Sequence, residues 1–134
     1  MEPQELKNRI EGLVREIKEN PATDAYFPLA RLYFSIKDNR NAFEACVNGL
    51  KVHSQYYEGY LLLGEILIAI GQFERAEKAF ATAFKLDPSR SDPLFLLCDV
   101  YVHADNLSKL TAVMHQLEIV APYDMRLSRI RETV

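Results

Sequence analysis

Along most of the chain apolar residues recur at three- and four-residue steps, the spacing that gathers them on one face of a helix. The clearest stretch runs from Tyr57 to Pro88. There Tyr60, Leu63, Gly64 and Leu67 form one set, Ala76, Phe80 and Ala83 a second, and Pro88 closes the unit. Between the sets lies Gly71-Gln72-Phe73. Its glycine is free to take the left-handed conformation that ends a helix, and its phenylalanine is placed to plug the turn, so the stretch predicts two antiparallel helices. Upstream, Leu6, Ile10, Leu13, Val14 and Ile17 put an apolar stripe on a helix over Gln4 to Asn20, which Pro21 ends. That helix lacks the small residues that let two helices approach closely, and it reads as a cap laid on the helices after it.

The landmarks of the central stretch return one step of about 34 residues away on both sides. Going back they fall on Tyr26, Leu29, Ala30, Tyr33, Ala42, Cys46 and Gly49, with Ser54 in place of the closing proline. Pro28 is tolerable only in the first turn, so this helix is expected to begin at Ala25 or to be locally distorted. Its turn is Lys37-Asp38-Asn39, where Asp or Asn is expected to replace the glycine. Going forward the landmarks fall on Leu94, Leu97, Cys98, Tyr101, Leu110, Met114, Leu117 and Pro122. Leu110 and Leu117 stand where the central unit has alanine, which predicts a wider helix pair. Asp105-Asn106 supplies the turn, and Ser91 or Asp92 is expected to cap the helix that holds Pro93.

This pattern resembles the tetratricopeptide repeat, W-x2-L-G-x2-Y followed by A-x3-F and P, with Tyr60 standing for the tryptophan and Leu67 for the tyrosine. Three copies keep one period. The resemblance implies an all-α fold, a right-handed superhelical array of antiparallel helix pairs, and binding of a protein partner as its class of activity. The expected divisions are a capping helix over 1–22, a degenerate first repeat over 23–56, the best-matching repeat over 57–90, a third over 91–124, and a C-terminal helix over 125–134. In that last segment Leu127, Ile130 and Val134 make an apolar stripe like the opening of a fourth repeat. It is either a short cap or the start of a repeat in a longer array.

Composition narrows the function without naming it. The 134 residues are 49% hydrophobic and 26% charged, ordinary for one folded domain. A formal net charge of −3 and the lack of any lysine and arginine block argue against nucleic-acid binding. No apolar run reaches the roughly 20 residues of a membrane span, since Glu65 splits the longest one, and the N-terminus has no signal-peptide core. A cytoplasmic protein is expected. Cys46 and Cys98 occupy core positions and are expected to be buried and reduced.

No nucleotide-binding, zinc-binding or paired-cysteine motif is present, and no cofactor or metal is expected. Cys98 and His103 lie at an offset that turns them to different faces, which argues against a thiol–imidazole pair. His53, His103 and His115 read as surface or turn residues. Glu58 and Asp92, at helix starts, are accounted for by the helix dipole. The chain is expected not to be an enzyme.

The resemblance implies that the first helix of each repeat lines a concave groove. The partner-facing residues would be Phe27, Arg31 and Phe34 in the first repeat, Leu61, Leu62, Glu65 and Ile68 in the second, and Phe95, Leu96, Asp99 and Val102 in the third. Relatives that grip the acidic tails of heat-shock chaperones use a clamp of lysines, asparagines and an arginine. Here the matching places hold Phe27, Arg31, Leu62, Asp92 and Leu96, so that role is rejected. The helix from Tyr60 to Ile70 is apolar almost all round, and such a helix must be covered on both sides. Two functions are compatible with this. One is a scaffold whose groove takes an apolar or amphipathic protein segment. The other is a self-assembly module, a homodimer or part of a longer array, whose groove is filled by another copy or by its own terminal helix.

Overall fold

The computed structural model describes residues 1–133. Every element in them is a helix: α1 (Pro3–Glu19), α2 (Tyr26–Ser35), α3 (Asn39–Val52), α4 (Tyr57–Ala69), α5 (Phe73–Leu86), α6 (Asp92–His103), α7 (Leu107–Val120) and α8 (Met125–Thr133). The pairs α2/α3, α4/α5 and α6/α7 are the three repeating units. The α6/α7 pair is the least intimate of them, as the leucines at positions 110 and 117 lead one to expect. Val134, the last member of the C-terminal stripe, lies outside the described residues.

The three turns within the units share one construction. Asp38, Gln72 and Asn106 donate their backbone N–H groups to the carbonyls of Tyr33, Leu67 and Tyr101 at 2.8–2.9 Å, and the preceding residue is left-handed each time. This is the Schellman arrangement, which satisfies carbonyls orphaned at a helix end. Gly71 takes the left-handed place in the central unit at φ 78°, and Asp105 takes it in the third at φ 53°. In the first unit the residue is Lys37, at φ 63°, and neither Asp38 nor Asn39 as the sequence suggested. Asp38 does something else there: its carboxylate accepts the Asn41 N–H and caps α3, as Asn106 caps α7 through the Lys109 N–H. Ser91 and Asp92 do not cap α6, because Ser91 makes no side-chain cap bond and Asp92 is held by arginines. Pro28 falls in the first turn of α2, where its missing N–H costs nothing.

Two cores run side by side. The first gathers Phe27, Leu29, Ala30, Ala42, Cys46 and Leu50 with Leu62 and Ile66 of α4. The second gathers Leu67, Ala76, Phe80, Leu94, Leu97, Cys98, Tyr101, Leu117 and Leu127. Helix α4 feeds both, which is why it is apolar almost all round. Gly64 brings its backbone against the Phe80 ring so closely that a Cβ there would sit 2.3 Å from Cε1. Helix α1 is only half-covered: Ile10, Leu13, Val14 and Ile17 pack on the first core, yet no residue of α1 is fully buried. Helix α8 sits on α6 and α7 through Leu127, which is fully buried.

Among the first helices α2 touches α4 and α6 touches α8, while α3, α5 and α7 make no comparable contact with one another. The array therefore curves towards its first helices.

Candidate functional site

The inner face of that curve carries the sequence-predicted groove residues in repeated rows. Phe27, Leu61 and Phe95 form one row, Arg31, Glu65 and Asp99 the next, and Phe34, Ile68 and Val102 a third, with members of each row one repeat apart. The structure divides them sharply by accessibility. Phe27, Leu62 and Phe95 are 3%, 3% and 6% exposed, so they are not open contact surface but part of the protein's own core. Each has an identifiable cover. Phe27 lies against the backbone at Gly59, where a Cβ would come within 2.7 Å of its ring, and Tyr56 crosses it at a centroid distance of 4.6 Å. Leu62 is enclosed by the first core. Phe95 lies under the guanidinium of Arg126, 4.0 Å from the ring centroid.

What stays on the surface is narrower. Phe34, Leu61, Ile68 and Leu96 are half-buried, Val102 is 49% exposed, and the charged row of Arg31, Glu65 and Asp99 is open to solvent. Partial burial raises the pKa of the Glu65 carboxyl, with Arg31 opposing the shift. It raises that of Asp99 too, opposed by His103. Neither carboxylate makes an ion pair or a side-chain hydrogen bond among the described residues. The face thus offers apolar strips on either side of charges whose hydrogen-bonding capacity is unspent.

Helix α1 packs on α2, and α8 continues the array beside α6 and α7, reaching the inner face through Arg126.

Along one rim runs a charge ladder that sequence reasoning missed. Arg90 bonds Glu58 at 2.9 Å, lies 3.9 Å from Asp92 and stacks 4.2 Å over the Tyr57 ring. Arg126 bonds Asp92 at 2.9 Å and Asp124 at 2.8 Å. The paired hydrogen bonds from Arg126 hold the Asp124 carboxyl down at a pKa of about 2. Helix dipoles alone are therefore not the whole account of Glu58 and Asp92. A signal was present, since Asp24, Glu58 and Asp92 are acids at equivalent places and Arg126 is the next in that series.

The remaining chemistry-bearing residues do not assemble. Cys46 and Cys98 are free and fully buried, and burial pushes their thiols up to about 12 and about 11. His103 is exposed, donates from Nδ1 to the Asp99 carbonyl at 2.7 Å and lies over Phe73, while Cys98 faces the core. His53 is half-buried, its Nε2 donating to the Thr23 carbonyl at 3.0 Å, and His115 sits beside Glu118 at 3.7 Å. Among the described residues no group of His, Cys, Asp and Glu is placed to hold a metal ion, and no helix is long and apolar enough to cross a membrane.

Comparison with known proteins agrees with this geometry. The tetratricopeptide-repeat family matches residues 57–90. Two crystal structures of the protein MamA superpose with TM-scores of 0.83 and 0.81 at 19% and 20% identity, covering 95% and 90% of this chain and about 70% of theirs. TTC0263, a tetratricopeptide-repeat protein of Thermus thermophilus, superposes at 0.75 with 18% identity over 92% of this chain and 70% of its own. Among curated proteins, 106 residues are 28% identical to the protein O-mannosyl-transferase Tmtc3 of Drosophila melanogaster, a match that takes in 78% of this chain and only 11% of that protein. The family match at 57–90 and these neighbours together show a chain that contains a tetratricopeptide repeat and folds as an all-α tetratricopeptide-repeat solenoid, of the kind that serves as a scaffold for protein interactions.

Proposed function

We propose that the chain is a non-enzymatic scaffold that binds an apolar or amphipathic protein segment along its inner face. The observation that carries this reading is the ribbon itself. Phe34, Leu61, Ile68, Leu96 and Val102 remain partly uncovered on a curved surface, beside Arg31, Glu65 and Asp99, none of which forms a salt bridge among the described residues. A helix laid there would cover the apolar strips with its own apolar face and meet the charged row with polar side chains. The relative's transferase activity supplies no argument against this, because the match covers a small part of that protein. A cytoplasmic setting fits two buried, unpaired cysteines.

A second copy of the chain is the competing occupant. Its support is a separate patch at the α7–α8 corner, where Ile119, Tyr123 and Met125 are 81%, 97% and 74% exposed. The double variant Ile68→Lys/Val102→Lys separates the readings. It should fold with the wild-type melting temperature, remain in the wild-type oligomeric state by sedimentation, and lose its protein partner. A variant that changes from dimer to monomer would move the groove to self-assembly, and one that keeps its partner at full strength would remove the inner face from the account.

A further inference from the structure

The first junction between units differs from the next two in its charge. At the second and third junctions between units, the chain supplies its own guanidinium to an aromatic ring and a carboxylate: Arg90 to Tyr57 and Glu58, Arg126 to Phe95 and Asp92. The first junction has the ring and the acid but not the cation. Phe27 stands two repeats before Phe95, and Asp24 stands one and two repeats before Glu58 and Asp92. Tyr56 occupies the place of Arg90, and Glu58 that of Arg126, so neither of the two positions from which the later junctions draw their guanidinium holds a cation here. The carboxylate of Asp24 is exposed and makes no hydrogen bond or ion pair among the described residues. Beside it opens a cleft of about 540 Å³, walled by Asp24, Phe27, His53, Gln55 and Tyr56. Tyr56, 40% exposed and backed by Phe27, gives the cleft an aromatic wall.

We infer that this cleft receives an arginine side chain of the bound protein segment, which supplies from outside the cation the chain supplies to itself at the other two junctions. The inference rests on the scaffold reading. A flat guanidinium suits the position because it can lie against the Tyr56 ring while its edge N–H groups reach the Asp24 carboxylate. A lysine ammonium carries the same charge without that planar fit. The cleft lies in the first unit, between the start of α2 and the connection from α3 to α4, so the arginine would mark one end of the segment.

The test uses the full chain and a small probe, N-acetyl-arginine methylamide, followed by two-dimensional amide NMR, with the norleucine analogue as the uncharged control. The arginine probe should shift the amides around Asp24, Phe27 and His53 to Tyr56, and the norleucine probe should not. Asp24→Asn should weaken the response about tenfold, the loss expected for one charge-assisted hydrogen bond. Tyr56→Arg should abolish it by filling the cleft from within, and Asp24→Asn carries the test if that variant melts early. Equal response to norleucine, no change in Asp24→Asn, or shifts absent from these amides would overturn the assignment. The probe needs no partner, so a failed titration leaves the scaffold reading standing, while a failure of the Ile68→Lys/Val102→Lys variant leaves the cleft standing.

Discussion

A single added methyl group at two different glycines should move stability in opposite directions. At Gly64 a Cβ would lie 2.3, 2.5 and 2.7 Å from Cε1, Cζ and Cδ1 of Phe80. That ring is completely buried between α4 and the second core, so it has no free direction in which to retreat. Overpacking of this kind costs ~1–3 kcal/mol. Alanine recovers ~0.5–1 kcal/mol of helix propensity, and the net expectation for Gly64→Ala is a loss of about 1–2 kcal/mol. Gly12 lies mid-helix in α1, exposed, with nothing within 4 Å of its added Cβ, so Gly12→Ala should gain the propensity of ~0.5–1 kcal/mol without penalty. Urea unfolding followed by far-UV circular dichroism reads both, as a fall and a rise in midpoint at constant slope. Phe80→Leu in the Gly64→Ala background should cost less than in the wild type, giving a coupling of ~0.5–3 kcal/mol. A Gly64→Ala protein as stable as Gly12→Ala, or no coupling to position 80, would refute the close approach of α4 and α5.

The terminal helices give two further expected outcomes. Asp124 has a folded pKa depressed from 3.8 to about 2, so its contribution is present above the unfolded value and is lost as pH falls from about 4 towards 2. Thermal melts over that range should show the wild type losing more stability than Asp124→Asn, and parallel curves would mean that the Asp124–Arg126 contact does not stabilise the fold. Deleting residues 1–20 should lower stability by roughly 1 kcal/mol for each half-covered side chain among Ile10, Leu13, Val14 and Ile17, about half of the ~1.5–3 kcal/mol for full burial, and a truncated chain that melts like the whole would make α1 a free tail.

Much of the solenoid was legible because its requirement is periodic. A small residue at Gly64, Ala76 and Ala83 and an aromatic at Phe80 answer to helices that touch, and the same demand returns wherever the next pair touches. The turn at Gly71 was legible because only glycine adopts that backbone without strain. Lys37 gave no such sign, since its left-handed conformation is imposed by the two hydrogen bonds that close the Schellman turn and not by its own preference. The burial of Phe27, Leu62 and Phe95 was hidden for a geometric reason. A helical wheel separates a core side from an outer side, whereas a first helix of this array meets its own partner, the preceding second helix and the neighbouring first helix. Leu62 faces the preceding unit, and Phe27 is covered from the next one by residues beyond its own helix. The charge ladder escaped notice because Arg90 sits in a loop and reaches back 32 residues to Glu58, a distance no local pattern reports.

The scaffold reading stands or falls on which face touches the partner. Placing a photo-cross-linking amino acid at Val102 on the inner face, and separately at Ala81 on the exposed side of α5, and irradiating each in extract of the source cells asks this directly. Cross-links to a distinct protein from position 102 alone, lost when Ile68→Lys is added, are the predicted result. Equal cross-links from position 81, or products from position 102 that contain only this chain, would contradict it.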